Sequence, residues 1–359
     1  MSAEPKVQFF LGSNSPGGFY SLFDGLIDPA EADRIYILKG GPGCGKSTLM
    51  RRVAAAAEAR GHPVEYILCS GDPDSLDAIV LPKQRAALVD GTAPHVVEPH
   101  YPGVVETYVN LGDGYDRSGL QNVRAEIISC MAGFGTFRQR TRRCLSAVAE
   151  LSEGMREMLV TQPVEDKIKK RAHGILKREI RKKKSEETGR VEQRFLSAVT
   201  YRGQVCLFGT VDRLCKRVYE LTDSYGLAHI MLAQLLAGAT ATGYQVIACP
   251  SPMAPERLEH LIIPELSLAF VTSRPELPYE KHPYRRIRMD AMADRDTEKK
   301  NRGRLRFSRK VCAALMEEAV DSLAQSKVRQ DDLEALYHPY MDFTCVERLA
   351  DGMITELLS

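Results

Sequence analysis

The sequence predicts an α/β protein with two related cores, each a mainly parallel sheet flanked by helices and followed by a helical appendage. Three observations lead to this prediction. A glycine-rich loop stands between a short apolar run and an alanine-rich run, and the second half of the chain repeats the first. The length of 359 residues is enough for about two domains.

The glycine-rich loop spans Gly40–Thr48 and fits the pattern G-x-x-x-x-G-K-[ST] at every fixed position. Arg34–Leu38 precedes it and reads as a short buried strand. Leu49–Arg60 follows it and reads as a helix that ends at Gly61. A strand, a glycine loop and a helix in this order turn backbone N–H groups and a helix N-terminus toward a polyphosphate. The sequence therefore predicts a phosphate-binding P-loop.

Each residue type in the loop has a chemical role. Glycines let the backbone curl, Lys46 brings a positive charge to the β- and γ-phosphates, Ser47 offers a hydroxyl to Mg²⁺, and Thr48 can donate to the α-phosphate. Cys44 is interpreted as a small side chain that fills a loop position, with a redox switch as the less favoured alternative. The predicted nucleotide-binding residues are Gly41, Pro42, Gly43, Cys44, Gly45, Lys46, Ser47 and Thr48.

The repeat is visible as matched runs at nearly constant spacing. Arg34-Ile35-Tyr36 matches Arg217-Val218-Tyr219, and Pro73–Pro82 matches Pro255–Pro264. A duplicated P-loop domain explains such matches better than coincidence does. The strands predicted for the first copy are Val7–Leu11, Arg34–Leu38, Val64–Cys69, Ala86–Val89 and Thr107–Leu111. The predicted segments are a first core at 1–115, a helical appendage at 116–190, a second core at 191–295 and a C-terminal helical appendage at 296–359.

The second copy lacks the loop pattern. Where the first copy has the loop, the second copy reads Asp223–Met231. Aligning the two copies puts His229 opposite Lys46 and Ile230 opposite Ser47. Neither replacement can hold a phosphate or a magnesium ion in the same way. We therefore expect one active site, in the N-terminal domain, and a second domain that serves packing, regulation or closure.

Asp90 is the predicted magnesium carboxylate. It ends the apolar run Ala86–Asp90, and its counterpart in the second copy is Thr272, so the acid is lost together with the lysine. A P-loop enzyme usually holds its Mg²⁺ shell with a carboxylate at such a strand end. Ser47 and Asp90 are thus the predicted metal residues, and Lys46 and Asp90 the predicted catalytic ones. The alternatives are a turn-forming Asp-Gly pair and, for the metal role, Asp113.

Three further acids precede Asp90. Asp72 is absent from the second copy and is a second candidate near the phosphates. Asp74 and Asp77 persist as Glu256 and Glu259 although the loop is gone. We interpret these retained acids as structural residues at a helix start.

Several runs resemble an uncharacterised bacterial family of tandem P-loop ATPases. They are Phe19–Asp24, Gly40–Thr48, Asp90–His95 and His338–Phe343, and the resemblance covers nearly the whole chain. It implies an ATP-binding protein with two related P-loop domains and no known substrate. The second copy in that family often has a glycine-rich loop too, so the degenerate loop is a departure.

Composition is ordinary for a globular protein, with 44% apolar residues, 27% charged residues and a net charge of +2. No apolar run is long enough to span a bilayer, and no signal peptide is visible. Nine cysteines without a C-x-x-C pair indicate reduced thiols, and we expect a cytoplasmic protein. The basic amphipathic run Lys167–Lys184 is interpreted as a solvated helix, with contact to nucleic acid, an anionic membrane surface or protein as the alternative.

The leading functional prediction is a Mg²⁺-dependent ATPase that binds ATP in preference to GTP. The chain has no N/T-K-x-D guanine-reading motif after the loop and no L-S-G-G-Q run typical of transporter ATPases. A small-molecule kinase that uses the same site is the second hypothesis. A nucleotide-gated scaffold with little turnover is the third.

Overall fold

A computed structural model describes residues 5–181, 183 and 188–359. The elements of the N-terminal half are β1 Val7–Phe10, β2 Gly12–Ser15, β3 Gly18–Ser21, β4 Arg34–Lys39, α1 Lys46–Ala59, β5 Glu65–Leu68, β6 Leu76–Leu81, β7 Ala86–Asp90, β8 Glu106–Asn110, α2 Arg117–Asn122, α3 Arg124–Ala132, α4 Phe134–Leu159 and α5 Gln162–Glu179.

The C-terminal half follows the same order of elements at first. Its elements are β9 Val191–Gln193, β10 Ser197–Thr200, β11 Gly203–Cys206, α6 Phe208–Leu214, β12 Arg217–Thr222, α7 Ala228–Ala241, β13 Val246–Ser251, β14 Ala254–Ile263, β15 Leu268–Ser273, β16 Arg285–Arg288, α8 Arg295–Lys300, α9 Arg302–Tyr337 and α10 Phe343–Leu358. Short 3-10 turns lie between several of them.

The chain is an α/β protein with two six-stranded mixed sheets that share one strand order. The first sheet runs β1-β5-β6-β7-β4-β8 and the second runs β9-β13-β14-β15-β12-β16. In both sheets the middle strand of a three-strand group (β6 or β14) is antiparallel to its two neighbours, and the other pairs are parallel. The register agrees as well, because Arg34 pairs with Ala86 and Arg217 pairs with Leu268. This agreement is what a duplicated core predicts.

The chain divides into two compact units, each made of stretches that are distant in sequence. The first unit consists of Lys6–Ser13, Ser21–Thr141 and Val320–Ser359. The second unit consists chiefly of Asn14–Tyr20 and Arg142–Ala319. The sequence-based division at residues 115, 190 and 295 cuts the chain into consecutive segments, whereas each compact unit combines pieces of several such segments. The two divisions therefore describe different things, and the sequence-based one stays a prediction.

The first unit places α1 between its sheet and the last helix of the chain. The alanine-rich α1 buries one face, and it ends where Gly61 takes a φ of +72°. Helix α10 packs against α1, and β4 is buried through Ile35–Leu38 because layers cover both faces of the sheet. The buried side chains of α1 are Leu49, Met50, Val53, Ala54 and Ala57.

The second unit has the corresponding arrangement. Helix α5 packs against α7, and the core contains the fully buried side chains of Ile168, Leu232 and Phe270. Helix α7 is apolar nearly all round, which fits a helix that is covered on both sides.

All five strands predicted for the first copy correspond to strands of the first sheet, but the sixth strand of that sheet, β6, was missed. Asp77 lies inside β6 and Glu259 inside β14, so the expectation of a helix start at Asp77 is wrong. The run Leu76–Leu81 is buried at every position, which is typical of an interior strand with both faces covered. Such a run lacks the alternation that makes an exposed strand visible in a sequence.

Candidate functional site

The glycine loop connects the carboxyl end of β4 to the first residue of α1. Gly43 and Gly45 have φ values of +68° and +87°, a region that residues with a Cβ rarely adopt. Gly45 is the N-terminal cap of α1, and as a glycine it has no side chain that could accept a hydrogen bond from the first turn. The loop 40–45 contains no acid, so it places no carboxylate at the backbone donors of the α1 N-terminus, which is the arrangement that suits an anion.

Lys46 points back over its own loop. Its Nζ donates to the carbonyl oxygens of Gly40 at 2.9 Å and Gly41 at 3.0 Å, and lies 3.5 Å from Oδ2 of Asp90. The side chains of Lys46 and Asp90 are each 13% exposed, so this contact is shielded but still reachable by solvent. The structure thus brings together the two residues predicted to be catalytic.

Asp90 occupies the end of β7, the strand beside β4. It pairs in register with Leu38, at the start of the loop. Its Oδ1 accepts hydrogen bonds from the backbone N–H of Thr92 at 2.9 Å and from the Thr92 hydroxyl at 2.6 Å. These bonds fix one carboxylate oxygen and leave the other directed at Lys46.

Ser47 and Thr48 lie in the first turn of α1. The Ser47 hydroxyl accepts a hydrogen bond from the backbone N–H of Leu76 at 3.0 Å, which ties the helix start to β6. Thr48 is exposed. Among the residues that the structure describes, no group of three or more His, Cys, Asp or Glu side chains has the geometry of a metal site.

The other loop residues shape its interior and its outer edge. Cys44 is 1% exposed, and a Cβ built on Gly40 would lie 2.6 Å from its sulfur. Burial raises the pKa of the Cys44 thiol, which favours a packing role over a reactive thiolate. The Pro42 carbonyl accepts a hydrogen bond from the Tyr115 hydroxyl at 3.3 Å.

The rival acids make contacts of their own. Asp72 forms an ion pair with Lys327 of α9 at 3.5 Å and accepts a hydrogen bond from the Ser75 hydroxyl at 3.0 Å. Asp113 is exposed and accepts a hydrogen bond from the Asn110 amide at 2.8 Å. These contacts explain both acids as loop-fixing residues.

Asp77 is a buried carboxylate whose importance the sequence reading underestimated. Its neighbour on β6, Ala78, pairs with Val89, so Asp77 stands across from Asp90 at the edge of the sheet that carries the loop. Burial raises the pKa of Asp77 to about 6, and the charge of Asp90 adds to this, while His95 and Lys46 act in the opposite direction. In the sequence, this buried carboxylate was indicated by its position as an acid inside a continuous apolar run.

His95 lies beside Asp77. Its Nε2 is 3.9 Å from Oδ1 of Asp77, and its ring stacks on Phe23 with centroids 4.5 Å apart and planes at 12°. From its place downstream of Asp90, the sequence indicated only that His95 could line the site, because its approach to Asp77 depends on how β6 and the segment after β7 fold together.

The second loop, residues 223–227, is closed by two carboxylates, one from the loop itself and one from the turn that follows β16. Oδ2 of Asp223 accepts a hydrogen bond from the backbone N–H of Ala228 at 2.6 Å, and Oδ1 accepts one from Tyr225 at 3.1 Å. Asp290 accepts from both the backbone N–H and the hydroxyl of Ser224, each at 2.8 Å. Two acids thus stand at the helix start of the second unit, whereas the corresponding loop of the first unit, residues 40–45, contains none.

The second loop is also one residue shorter than the first. Residues 40–45 separate β4 from α1, whereas residues 223–227 separate β12 from α7. The last turns of α1 and α7 make the same set of hydrogen bonds, so the helices align with Ala228 opposite Lys46. The sequence alignment that put His229 opposite Lys46 was therefore wrong by one position, because the loop lacks a residue.

The basic run forms part of α5, which ends at Glu179. Its apolar face is buried at Val164, Ile168 and Ala172 and packs against α7, as expected for a docked helix. The exposed basic residues are Lys167, Lys170, Arg171, Lys177, Arg178 and Arg181. Lys182 and Lys184, the end of the predicted run, lie outside the described residues. Contact of this face with nucleic acid or protein stays a prediction.

Across the described ranges 5–181, 183 and 188–359, no helix is both long and apolar enough to cross a membrane. A family model described as nephrocystin 3, N-terminal, matches residues 22–81, the stretch from the end of the first hairpin through the glycine loop, α1 and β6. No curated protein and no solved structure matches the chain. The chain is therefore similar to that family over the loop-bearing part of the first unit.

Proposed function

We propose that the first unit is a P-loop NTPase domain that binds ATP with Mg²⁺ and hydrolyses it at one site per chain. The observation that carries this proposal is the position of Lys46. It begins the helix after a six-residue glycine loop, and its Nζ lies between the loop carbonyls and Asp90 at the end of the adjacent parallel strand. This arrangement supports recognition of a polyphosphate by a lysine and backbone donors together.

Each residue has a defined role in this proposal. The N–H groups of Gly43, Gly45 and the start of α1 would hold the β-phosphate, and Lys46 would exchange its carbonyl contacts for β- and γ-phosphate oxygens. Ser47 and Asp90 both supply oxygen atoms, which Mg²⁺ prefers. Two protein ligands are enough, because Mg²⁺ usually keeps several waters and takes the rest from the substrate phosphates.

The two alternatives use the same site. A small-molecule kinase would transfer the γ-phosphate to an acceptor, and a nucleotide-gated scaffold would bind ATP with little turnover. ATP is preferred over GTP because no guanine-reading motif follows the loop. Nothing in the described residues favours one acceptor or partner, so hydrolysis is the simplest reaction that the site supports.

The test is phosphate release from ATP with Mg²⁺, without an added acceptor, by wild type, Lys46→Ala and Asp90→Asn. We expect wild type to release phosphate and both variants to lose most of this activity. Tight ATP binding without phosphate release would exclude hydrolysis and leave the kinase or the scaffold. Dependence on an added acceptor would identify the kinase, and an absence of ATP binding would reject the proposal as a whole.

A further inference from the structure

The C-terminal end of the first unit lies directly on the glycine loop. A Cβ built on Gly43 would be 3.2 Å from the backbone oxygen of Glu334, near the end of α9. A Cβ on Gly45 would be 3.4 Å from Val346 and 3.6 Å from the ring of Phe343, at the start of α10. These approaches are close because both loop residues are glycines.

This segment is held in place by backbone contacts. The Asp342 N–H donates to the Gly114 carbonyl at 2.8 Å, and the Asp116 N–H donates to the Tyr340 carbonyl at 2.8 Å. Tyr115 and Met341 form an isolated antiparallel bridge between these two bonds. The segment from α9 to α10 is therefore fixed to the turn that follows β8.

Two neighbouring rings lie in this segment, and one of them, Phe343, lies next to Gly45 of the loop. The rings of His338 and Phe343 have centroids 4.9 Å apart and planes at 43°. His338 is exposed and Phe343 is half-buried, so their outer surfaces can be reached from solvent. The two residues are the first and last of the run His338–Phe343. The proposed hydrolysis reaction assigns no role to this run.

The order of the strands indicates where a base would lie. Strand β4 has β7 with Asp90 on one side and β8 on the other. A nucleotide whose γ-phosphate and metal are near Asp90 extends its base away from that residue, toward the β8 side, where the C-terminal segment sits beside Gly45. Aromatic rings are the usual surfaces on which a purine stacks.

We propose that His338 and Phe343 form the stacking surface for the purine base of the bound nucleotide. This inference rests on the proposed function, since it assigns the base end of the same ligand. The C-terminal segment would thereby complete a site whose phosphate-binding half comes from residues nearly 300 positions earlier in the chain.

The test compares ATP with inorganic tripolyphosphate, which has the phosphates but no base, in calorimetric titrations with Mg²⁺. We expect Phe343→Ala and His338→Ala to weaken ATP binding by about 5- to 150-fold, the usual range for loss of a base-stacking ring, and to leave tripolyphosphate binding within about twofold. Phe343→Tyr keeps the ring and should bind ATP like wild type. Phe307→Ala removes an exposed ring of the second unit and is the matched control.

The outcomes separate the two proposals. Wild-type binding of both ligands, with Phe343→Ala and His338→Ala unchanged for both, would overturn the stacking surface alone. Equal weakening of both ligands by these variants would also overturn it, because it would reveal only support of the loop. Failure of wild type to bind either ligand would overturn the proposed function and this inference with it.

Discussion

The two sheets have the same strand order, but the loops after their equivalent strands β4 and β12 have opposite electrostatics. In the first unit Lys46 begins α1, and the loop before it, residues 40–45, contains no acid. In the second unit Asp223 accepts a hydrogen bond from Ala228 at the start of α7, and Asp290 binds Ser224. A carboxylate at a helix start takes the place and charge of a phosphate. The same fold therefore carries two helix starts of different charge, and we propose that this charge decides which of them takes a phosphate.

A second pair of equivalent positions shows the same divergence. Asp77 and Glu259 occupy matching strands, and burial by itself raises the pKa of either acid. In the first unit the pKa of Asp77 is raised to about 6. In the second unit Arg274, His260 and Ser197 outweigh burial and hold the pKa of Glu259 at about 2. The second unit thus satisfies its buried acid internally, whereas the first leaves its acid poorly compensated beside the proposed site.

The largest expected effect concerns the two helix starts. Lys46→Ala should lower ATP affinity by at least about 100-fold, because a charged contact to phosphate contributes about 1.5–3 kcal/mol and the lysine makes more than one. The position equivalent to Lys46 in the second unit is already an alanine, Ala228, so the control is His229→Ala in the same first turn of α7, which should leave affinity unchanged. Titration calorimetry with ATP and Mg²⁺ measures both. A loss of binding in His229→Ala would mean that the second loop takes part.

Glu259→Gln and Asp77→Asn should shift stability in opposite directions. Glu259→Gln should lower the free energy of unfolding at pH 7 by about 2–4 kcal/mol, since it leaves the partly buried Arg274 without its partner. The depressed pKa of Glu259 means that this contribution is present above its usual value of 4.5 and is lost as the pH falls toward 2.

Asp77→Asn should instead raise stability at pH 7–8 by about 1–3 kcal/mol. Because the folded-state pKa is raised from 3.8 to about 6, ionisation of Asp77 costs stability as the pH rises through this range. The gain in Asp77→Asn should disappear near pH 4. Thermal unfolding of both variants from pH 4 to 8 measures the pair, and a stabilising effect of Asp77→Asn that grows at low pH would contradict the assignment.

Asp223→Ala should destabilise the protein by about 1–3 kcal/mol, because two buried N–H groups lose their acceptor. It should not create a second nucleotide site, since Ala228 still occupies the lysine position. Urea unfolding gives the stability change, and ATP titration of the same variant gives the number of sites. Unchanged stability would show that the carboxylate does not cap α7.

The smallest expected difference is steric. Gly43→Ala should cost about 1–2 kcal/mol, because a residue with a positive φ gains a Cβ that lies 3.2 Å from a backbone oxygen. Gly226→Ala in the second loop has a similar φ but meets only the Arg156 side chain at 3.6 Å, so it should cost about 1 kcal/mol or less. Equal costs, measured by urea unfolding, would mean that α9 does not press on the first loop.

The sequence predicted the elements that carry strong local signals. The glycine pattern and its flanking strand and helix were visible because each residue type there has a backbone or chemical reason. Lys46 and Asp90, the two residues predicted to be catalytic, lie 3.5 Å apart. Strand β6 was missed because its burial on both faces removes the alternation of apolar and polar residues.

The rest of the site depends on contacts between distant residues. Phe343 reaches the loop only after α10 folds onto α1, and Glu334 only after α9 approaches Gly43; the sequence carries no local signal for either packing. The second loop is one residue shorter than the first. This difference was hidden because the two copies were aligned at a constant offset, without a gap in the loop. The capping carboxylates of the second loop became visible only through their hydrogen-bond partners.

The central claim is that one of the two equivalent loops binds nucleotide and the other cannot. The most direct measurement is the number of ATP molecules bound per chain in a calorimetric titration with Mg²⁺. We expect one site in wild type and none in Lys46→Ala. Two sites in wild type, or one site that survives Lys46→Ala, would contradict the account.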